Sequence, residues 1–162
     1  MGLMNCNPKI AIVYSSITGN TAELAGMLLD CTRERGLDVR VFTPEQFCET
    51  DISSFDAVLV GTYTWGSGEI PYGMQAVYRH FEASPSKHLV TAVFGTGDSF
   101  FAEFCGAVDR FRDMLFVQTQ LSAVLKVELR PEEKDVARCL KFVDAVISRI
   151  EAGDVTVHGR SR

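Results

Sequence analysis

The sequence predicts an α/β protein: a five-stranded parallel sheet of order 2-1-3-4-5, covered by helices on both faces. Three observations carry this expectation. Short apolar runs rich in β-branched residues alternate with segments of helical spacing along the chain. The run Asp56-Ala57-Val58-Leu59-Val60-Gly61-Thr62 is almost wholly apolar, as befits a strand buried on both faces. The first strand-like run opens into a turn of hydroxyl and amide side chains before a helix, the place where doubly wound sheets bind ligands.

Taken in order, Lys9-Ile10-Ala11-Ile12-Val13 reads as the first strand. The first helix is expected from about Gly19 to Arg35, with Leu24, Leu28 and Cys31 as its apolar stripe and Gly36 as its stop. Leu37 to Phe42 alternates as a short second strand, and Asp56 to Thr62 is the third. An irregular loop runs from Tyr63 to Ile70. Pro71 then opens a helix where its missing N–H costs nothing, with Met74, Val77, Tyr78 and Phe81 facing inward. Leu89 to Phe94 is the fourth strand, and Gly95-Thr96-Gly97-Asp98-Ser99 reads as a second glycine-rich turn. Phe104, Val108, Phe111 and Leu115 mark the next helix, and Val117 to Glu128 carries the fifth strand. Pro131-Glu132-Glu133 starts the last helix with acidic residues in its first turn. The expected stripe of that helix is Val136, Leu140, Val143, Ile147 and Ile150, and Gly153 to Arg162 is expected to fray.

A chain of 162 residues is the size of one domain, expected here over 1–162 with its core at about 9–150. The net charge is −5, from 16 basic and 21 acidic residues, which disfavours nucleic acid and anionic membranes and favours basic partners. No apolar run reaches the ~18 residues of a membrane span. Met1 to Asn5 lacks a basic region leading into an apolar segment, so a cytoplasmic protein is expected. The cysteines, Cys6, Cys31, Cys48, Cys105 and Cys139, are odd in number and contain no C-x-x-C. His80, His88 and His158 lie far apart. The expectation is reduced thiols and no metal.

The turn Tyr14-Ser15-Ser16-Ile17-Thr18-Gly19-Asn20-Thr21 carries chemistry. A strand end feeding a helix N-terminus offers unpaired N–H groups and the positive end of the helix dipole, a ready phosphate site. No Lys or Arg occurs from Tyr14 to Thr32, so the lysine of a nucleoside triphosphate loop is missing. Only Gly19 is present where a dinucleotide turn needs three glycines. A neutral cradle suits one terminal phosphate monoester; the plainer reading is an ordinary turn capped by Ser or Thr. Three loops, 14–21, 62–69 and 95–101, converge at the switch point of the expected sheet. The second carries the single tryptophan, Trp65, and the third carries Phe100 and Phe101. Aromatics on two flanking loops can sandwich a flat ring; each could instead pack on the core.

At these residues the chain resembles the short-chain flavodoxins, from about Lys9 to Ile150. The S/T-x-T-G-x-T fingerprint is complete as Ser16-Ile17-Thr18-Gly19-Asn20-Thr21. Thr64-Trp65-Gly66 resembles the family's second loop, and Gly97-Asp98-Ser99 through Phe104-Cys105-Gly106-Ala107-Val108-Asp109 resembles its third. The long insertion of other members does not fit between the fifth strand and Pro131. The resemblance implies non-covalent FMN. Ser15, Ser16, Ile17, Thr18, Gly19, Asn20 and Thr21 would hold the phosphate, and Thr62, Tyr63, Thr64, Trp65 and Gly66 would form the second wall, with Trp65 stacked on the ring. Thr96, Gly97, Asp98, Phe104 and Cys105 would line the pyrimidine-like edge. Phe101 stands where the family usually has Tyr, with Phe100 as the alternative stacking residue. Gly66 would turn its carbonyl toward the flavin N5 on reduction, a motion glycine permits. Asp98, Glu69 and Glu103 would oppose added negative charge on the ring; Ser67 stands where many members have Asp.

The implied function is a monomeric, low-potential one-electron carrier, not an enzyme, partnered by a flavodoxin- or ferredoxin-NADP reductase or another redox protein with a basic docking face. Alternatives are an FMN-dependent quinone or nitro reductase and a flavodoxin-like activator of ribonucleotide reductase. A phospho-receiver of the same topology needs acidic residues where Ser15, Ser16 and Thr62 stand.

Overall fold

The computed structural model describes residues 7–101 and 103–160, with side chains described to Gly153. The expectations for Met1 to Cys6, for the side chain of His158 and for Ser161-Arg162 lie outside the described residues. Five strands, β1 (Lys9–Tyr14), β2 (Asp38–Phe42), β3 (Ala57–Thr62), β4 (Val90–Gly97) and β5 (Gln120–Glu128), form one sheet of order β2-β1-β3-β4-β5. Every pairing is parallel, with Ile12 opposite both Val41 and Leu59 in the centre. Among the described residues, α1 (Asn20–Glu34), α2 (Pro44–Cys48), α3 (Tyr72–Ala83) and α4 (Gly106–Gln118) connect successive strands, and α5 (Val136–Arg160) follows β5.

Strand alternation builds two cores. Ile10, Ile12, Leu59, Ala92 and Phe94 point to one face and pack with Leu24 and Leu28 of α1 and Phe142 and Val146 of α5. Ala11, Val13, Val58, Val60 and Val93 point to the other, against Phe47 of α2, Met74, Val77 and Phe81 of α3, and Val108 and Phe111 of α4. All six residues of β3 are buried, because helices cover both faces at the sheet centre.

Several boundaries differ from the sequence expectation. The glycine-rich stretch Gly95-Thr96-Gly97 is strand, not turn. β5 is long enough to pair with it, up to Gly97 opposite Glu128, and a paired strand keeps extending where propensity alone predicts a stop. Val117 belongs to α4, and β5 begins at Gln120. Pro71 is the residue before α3 rather than its first, and its carbonyl accepts from Met74 N–H at 2.9 Å. Between Pro131 and α5 lies a 3-10 turn, Glu133–Asp135, closed by a reciprocal Glu132–Asp135 capping box. The buried face of α5 is Cys139, Phe142, Val143, Val146 and Ile150, while Val136 is exposed. A four-three repeat describes a narrow seam. A helix that packs on both a sheet and a neighbouring helix buries a wider arc, and Leu140 and Ile147 fall on its margin. α5 also continues through Gly153 to Arg160 instead of ending there. The short helix α2 was not anticipated, although Thr43 and Gln46 form a full capping box ahead of it.

Candidate functional site

The first loop leaves β1 at Tyr14, and Ser15 N–H donates to the Gly61 carbonyl at 3.4 Å. Gly19 precedes α1 with φ 95°, which any side chain would strain; nothing crowds it, so conformation alone demands glycine. Gly19 offers no capping side chain, and Ser16 supplies one. Its hydroxyl oxygen accepts from the N–H groups of Gly19 and Ala22, both at 3.2 Å. The N–H groups of Thr18, Asn20 and Thr21 meet no acceptor among the described residues. Ile17, Thr18 and Gly19 are exposed, and Ser15, Ser16 and Asn20 are half-buried. The result is a neutral rim of backbone donors at the positive end of α1. Arg130 reaches the first turn of α1 from beyond β5, but its guanidinium pairs with Glu23 at 3.0 Å.

Thr21 behaves differently from its neighbours. It is 1% exposed, and its hydroxyl lies 2.8 Å from that of Thr96, itself buried in β4. The side chain therefore joins α1 to β4, leaving its N–H for the rim.

The second loop begins as β3 ends. Thr62 is fully buried and its hydroxyl donates to the Tyr63 carbonyl at 2.7 Å. Tyr63 is half-buried, which pushes its phenol above the ordinary value. The Thr64 hydroxyl accepts from Ala107 N–H at 3.3 Å. Trp65 and Glu69 pair across a tight turn, exchanging hydrogen bonds of 3.0 and 2.8 Å. Inside it Gly66 has φ 52° and Gly68 has φ 98°. A side chain at Gly68 would also collide with Glu103, so this position needs glycine for both shape and space. Trp65 stands 56% exposed.

The third wall starts at the end of β4. Gly97 packs so closely on Cys105 that a Cβ there would lie 2.9 Å from the sulfur. Asp98 turns its carboxylate onto Phe100 N–H at 2.9 Å, and its carbonyl accepts from Phe101 N–H at 3.1 Å. This turn presents Phe100, 88% exposed, and Phe101, 62% exposed, edge to face with centroids 6.2 Å apart. Phe104 is half-buried against the core. Cys105 is buried at φ 54°, and burial pushes its thiol up to about 12, so it is a neutral spacer rather than a nucleophile. Among the described residues no group of His, Cys, Asp or Glu could hold a metal ion.

The three loops thus meet at the carboxyl ends of β1, β3 and β4, at the switch point of the sheet. The family model described as Flavodoxin matches residues 12–141. Probable flavodoxin 1 of Bacillus subtilis is 37% identical over 139 residues, covering 83% of this chain and 87% of that one.

The chain belongs to the flavodoxin family.

The flavodoxin of Maridesulfovibrio salexigens is 32% identical over 136 residues, 79% of this chain and 91% of that protein. Among solved structures, a Streptococcus pneumonia TIGR4 flavodoxin superposes with a TM-score of 0.78 at 36% identity, covering 87% of this chain and 99% of that chain. As in short-chain flavodoxins, β5 here runs from Gln120 to Glu128 with no inserted loop. The family's cofactor is FMN, and the site fits it. One neutral cradle of amides and hydroxyls matches a single phosphate, and exposed aromatics on two neighbouring loops match a flat ring.

Sequence reasoning allowed a Ser or Thr cap without saying which residue supplies it, and it missed two further features of this flavodoxin's site. The cap is Ser16, four residues before the first residue of α1, Asn20. Tyr72, 90% exposed at the start of α3, stands beside the first loop, for a Cβ at Gly73 would lie 3.0 Å from the Ser15 hydroxyl. Arg110 donates from Nε to the Gly68 carbonyl at 2.8 Å. The serine signal was present in the spacing of Ser16 and Gly19. The other two depend on contacts between distant segments.

Proposed function

We propose that this flavodoxin is a low-potential carrier that passes electrons one at a time from a reductase to acceptor redox proteins. The neutral amide cradle beside two aromatic loops is the observation that carries this reading. FMN, when bound, supplies the redox chemistry; the chain supplies binding, orientation and field. The N–H groups of Thr18, Asn20 and Thr21 and the hydroxyls of Ser15 and Thr18 would hold the phosphate, with Ser16 keeping the loop in shape. Trp65 and one of Phe100 and Phe101 would cover the ring and exclude water. The turn Gly97-Asp98 and the backbone at Cys105 would meet its polar edge, and Thr62 and Thr96 support that wall from inside. The Gly66 carbonyl would accept a hydrogen bond from a ring N–H after its peptide turns over.

Glu69, Glu103 and Glu128 are exposed around this rim. They disfavour added negative charge at the site and would steer a basic reductase toward it. The protein is proposed to act as a cytoplasmic monomer, with residues 9–150 forming the working unit and no substrate turnover of its own.

The test is a visible spectrum of the purified protein during stepwise reduction, with acid release of the pigment. A yellow protein that yields FMN and is reduced by a reductase, at a rate that falls as salt rises, supports the carrier. FAD in the extract, or steady NAD(P)H oxidation by the protein alone, would point to an enzyme instead.

A further inference from the structure

We propose that Arg110, on α4, is a positioning residue for the cofactor site. Its guanidinium holds the Gly68 carbonyl and keeps the Trp65–Glu69 turn in the form that receives the FMN ring. This rests on the flavin reading above. Trp65, Gly66, Ser67 and Glu69 are exposed, and Gly68 alone in that turn is buried. The Trp65–Glu69 hydrogen bonds close the turn on itself, but with two glycines at positive φ and so little packing its seat against the rest of the site has to come from outside it. The fixing element is α4. Its first residue, Gly106, touches the turn so closely that a Cβ there would lie 2.6 Å from Gly68 Cα. Ala107 N–H donates to the Thr64 hydroxyl at 3.3 Å, just ahead of the turn. One helical turn further along, Arg110 Nε donates to the Gly68 carbonyl at 2.8 Å.

The neighbouring charges of α4 are engaged elsewhere. Asp109 pairs with Lys126 and Arg112, and Arg112 also pairs with Asp113. Arg110 has no carboxylate within ion-pair distance among the described residues, so no ion pair competes with its hydrogen bond to Gly68. A charged donor on a carbonyl is among the stronger hydrogen bonds available to a half-exposed loop. The two ends of the loop are therefore held by one rigid helix, and freedom is left to Gly66 and Ser67 between them.

Trp65 is the single tryptophan, so its fluorescence anisotropy decay in the apoprotein reads the mobility of this turn without any flavin. Arg110→Met removes the donor and keeps the apolar stem; Arg110→Lys keeps the charge and a donor. Arg112→Met is the control on the same helix. In Arg110→Met the fast local motion of Trp65 should grow, and FMN titrated into the apoprotein should bind about tenfold more weakly. Arg110→Lys should restore most of both, and Arg112→Met should change neither. A Trp65 as constrained in Arg110→Met as in the parent overturns the clamp. So does equal loosening in Arg112→Met, which would reflect a general loss of α4. Loosening with unchanged FMN affinity overturns the role in cofactor binding. A parent that binds no flavin refutes the flavin reading itself, a result separate from the anisotropy comparison.

Discussion

Thr18 and Thr21 lie three residues apart in one fingerprint, yet they should fail differently when replaced. Thr18 is exposed, and its hydroxyl has no partner among the described residues. Thr18→Ala should weaken FMN binding by about 1 kcal/mol and leave the apoprotein's urea midpoint unmoved. Thr21→Ala breaks the buried bond to Thr96 and should lower apoprotein stability by about 1–2 kcal/mol, whether or not FMN is present. Equal losses of stability in the two variants would contradict the separation drawn here. The glycines of the second loop make a similar pair. At Gly66 an added methyl meets its nearest atom, a flexible Glu69 oxygen, at 3.4 Å, so Gly66→Ala should cost about 1 kcal/mol through its backbone conformation alone. At Gly68 the same methyl strikes Glu103 as well, so Gly68→Ala should lose more in both urea midpoint and FMN affinity. The fingerprint was legible because it is local: a strand end, hydroxyls and a glycine within eight letters. The Thr21–Thr96 and Arg110–Gly68 bonds were not, since their partners lie 75 and 42 residues apart.

The elements were read from periodicity, and that worked where one surface, or burial on both, decides the pattern. The stripes of α1 and α3 each face a single core, and the β1 and β3 runs are buried on both faces; each appears close to where spacing placed it. It worked less well where pairing or a second neighbour decides. β4 keeps extending because β5 does, which no residue of Gly95-Thr96-Gly97 reveals. α5 packs against both α1 and β5, so its buried arc includes Cys139 and Phe142, outside the expected seam. The difference is testable on the helix itself. Val136→Lys should be neutral within about 0.5 kcal/mol, since that side chain is exposed. Val143→Ala should cost about 1–3 kcal/mol in denaturant unfolding, since the residue is 1% exposed within the core. A costly Val136→Lys would restore the seam that the sequence suggested.

At the scale of the whole molecule, two separate cores share one sheet, and each holds a deeply buried thiol: Cys139 in one and Cys105 in the other. Burial pushes both thiols up to about 12. Unfolded, a thiol releases its proton near about 8.5. Between those limits the folded chain binds more protons than the unfolded chain, so stability is full below the lower value and declines as pH rises above it. Cys139→Ala removes one of these groups. Its urea midpoint should fall less steeply than the parent's from about pH 8 to about pH 11. Parallel curves would mean that Cys139 does not contribute to alkaline unfolding.

The Thr21–Thr96 bond has a consequence for ligand choice. It fastens the helix that carries the phosphate rim to the strand whose end leads into the aromatic pair, with both hydroxyls out of water. Rim and pair are then two jaws of one caliper, set at a fixed gap. Such a gauge measures its ligand by length as well as by chemistry. A flavin phosphate with a shortened polyol chain keeps the same ring and the same phosphate, yet on this reading it should not engage both jaws at once. Its affinity for the apoprotein should fall toward that of the unphosphorylated flavin, and loosening the caliper with Thr21→Ala should narrow the difference between the short and full-length ligands.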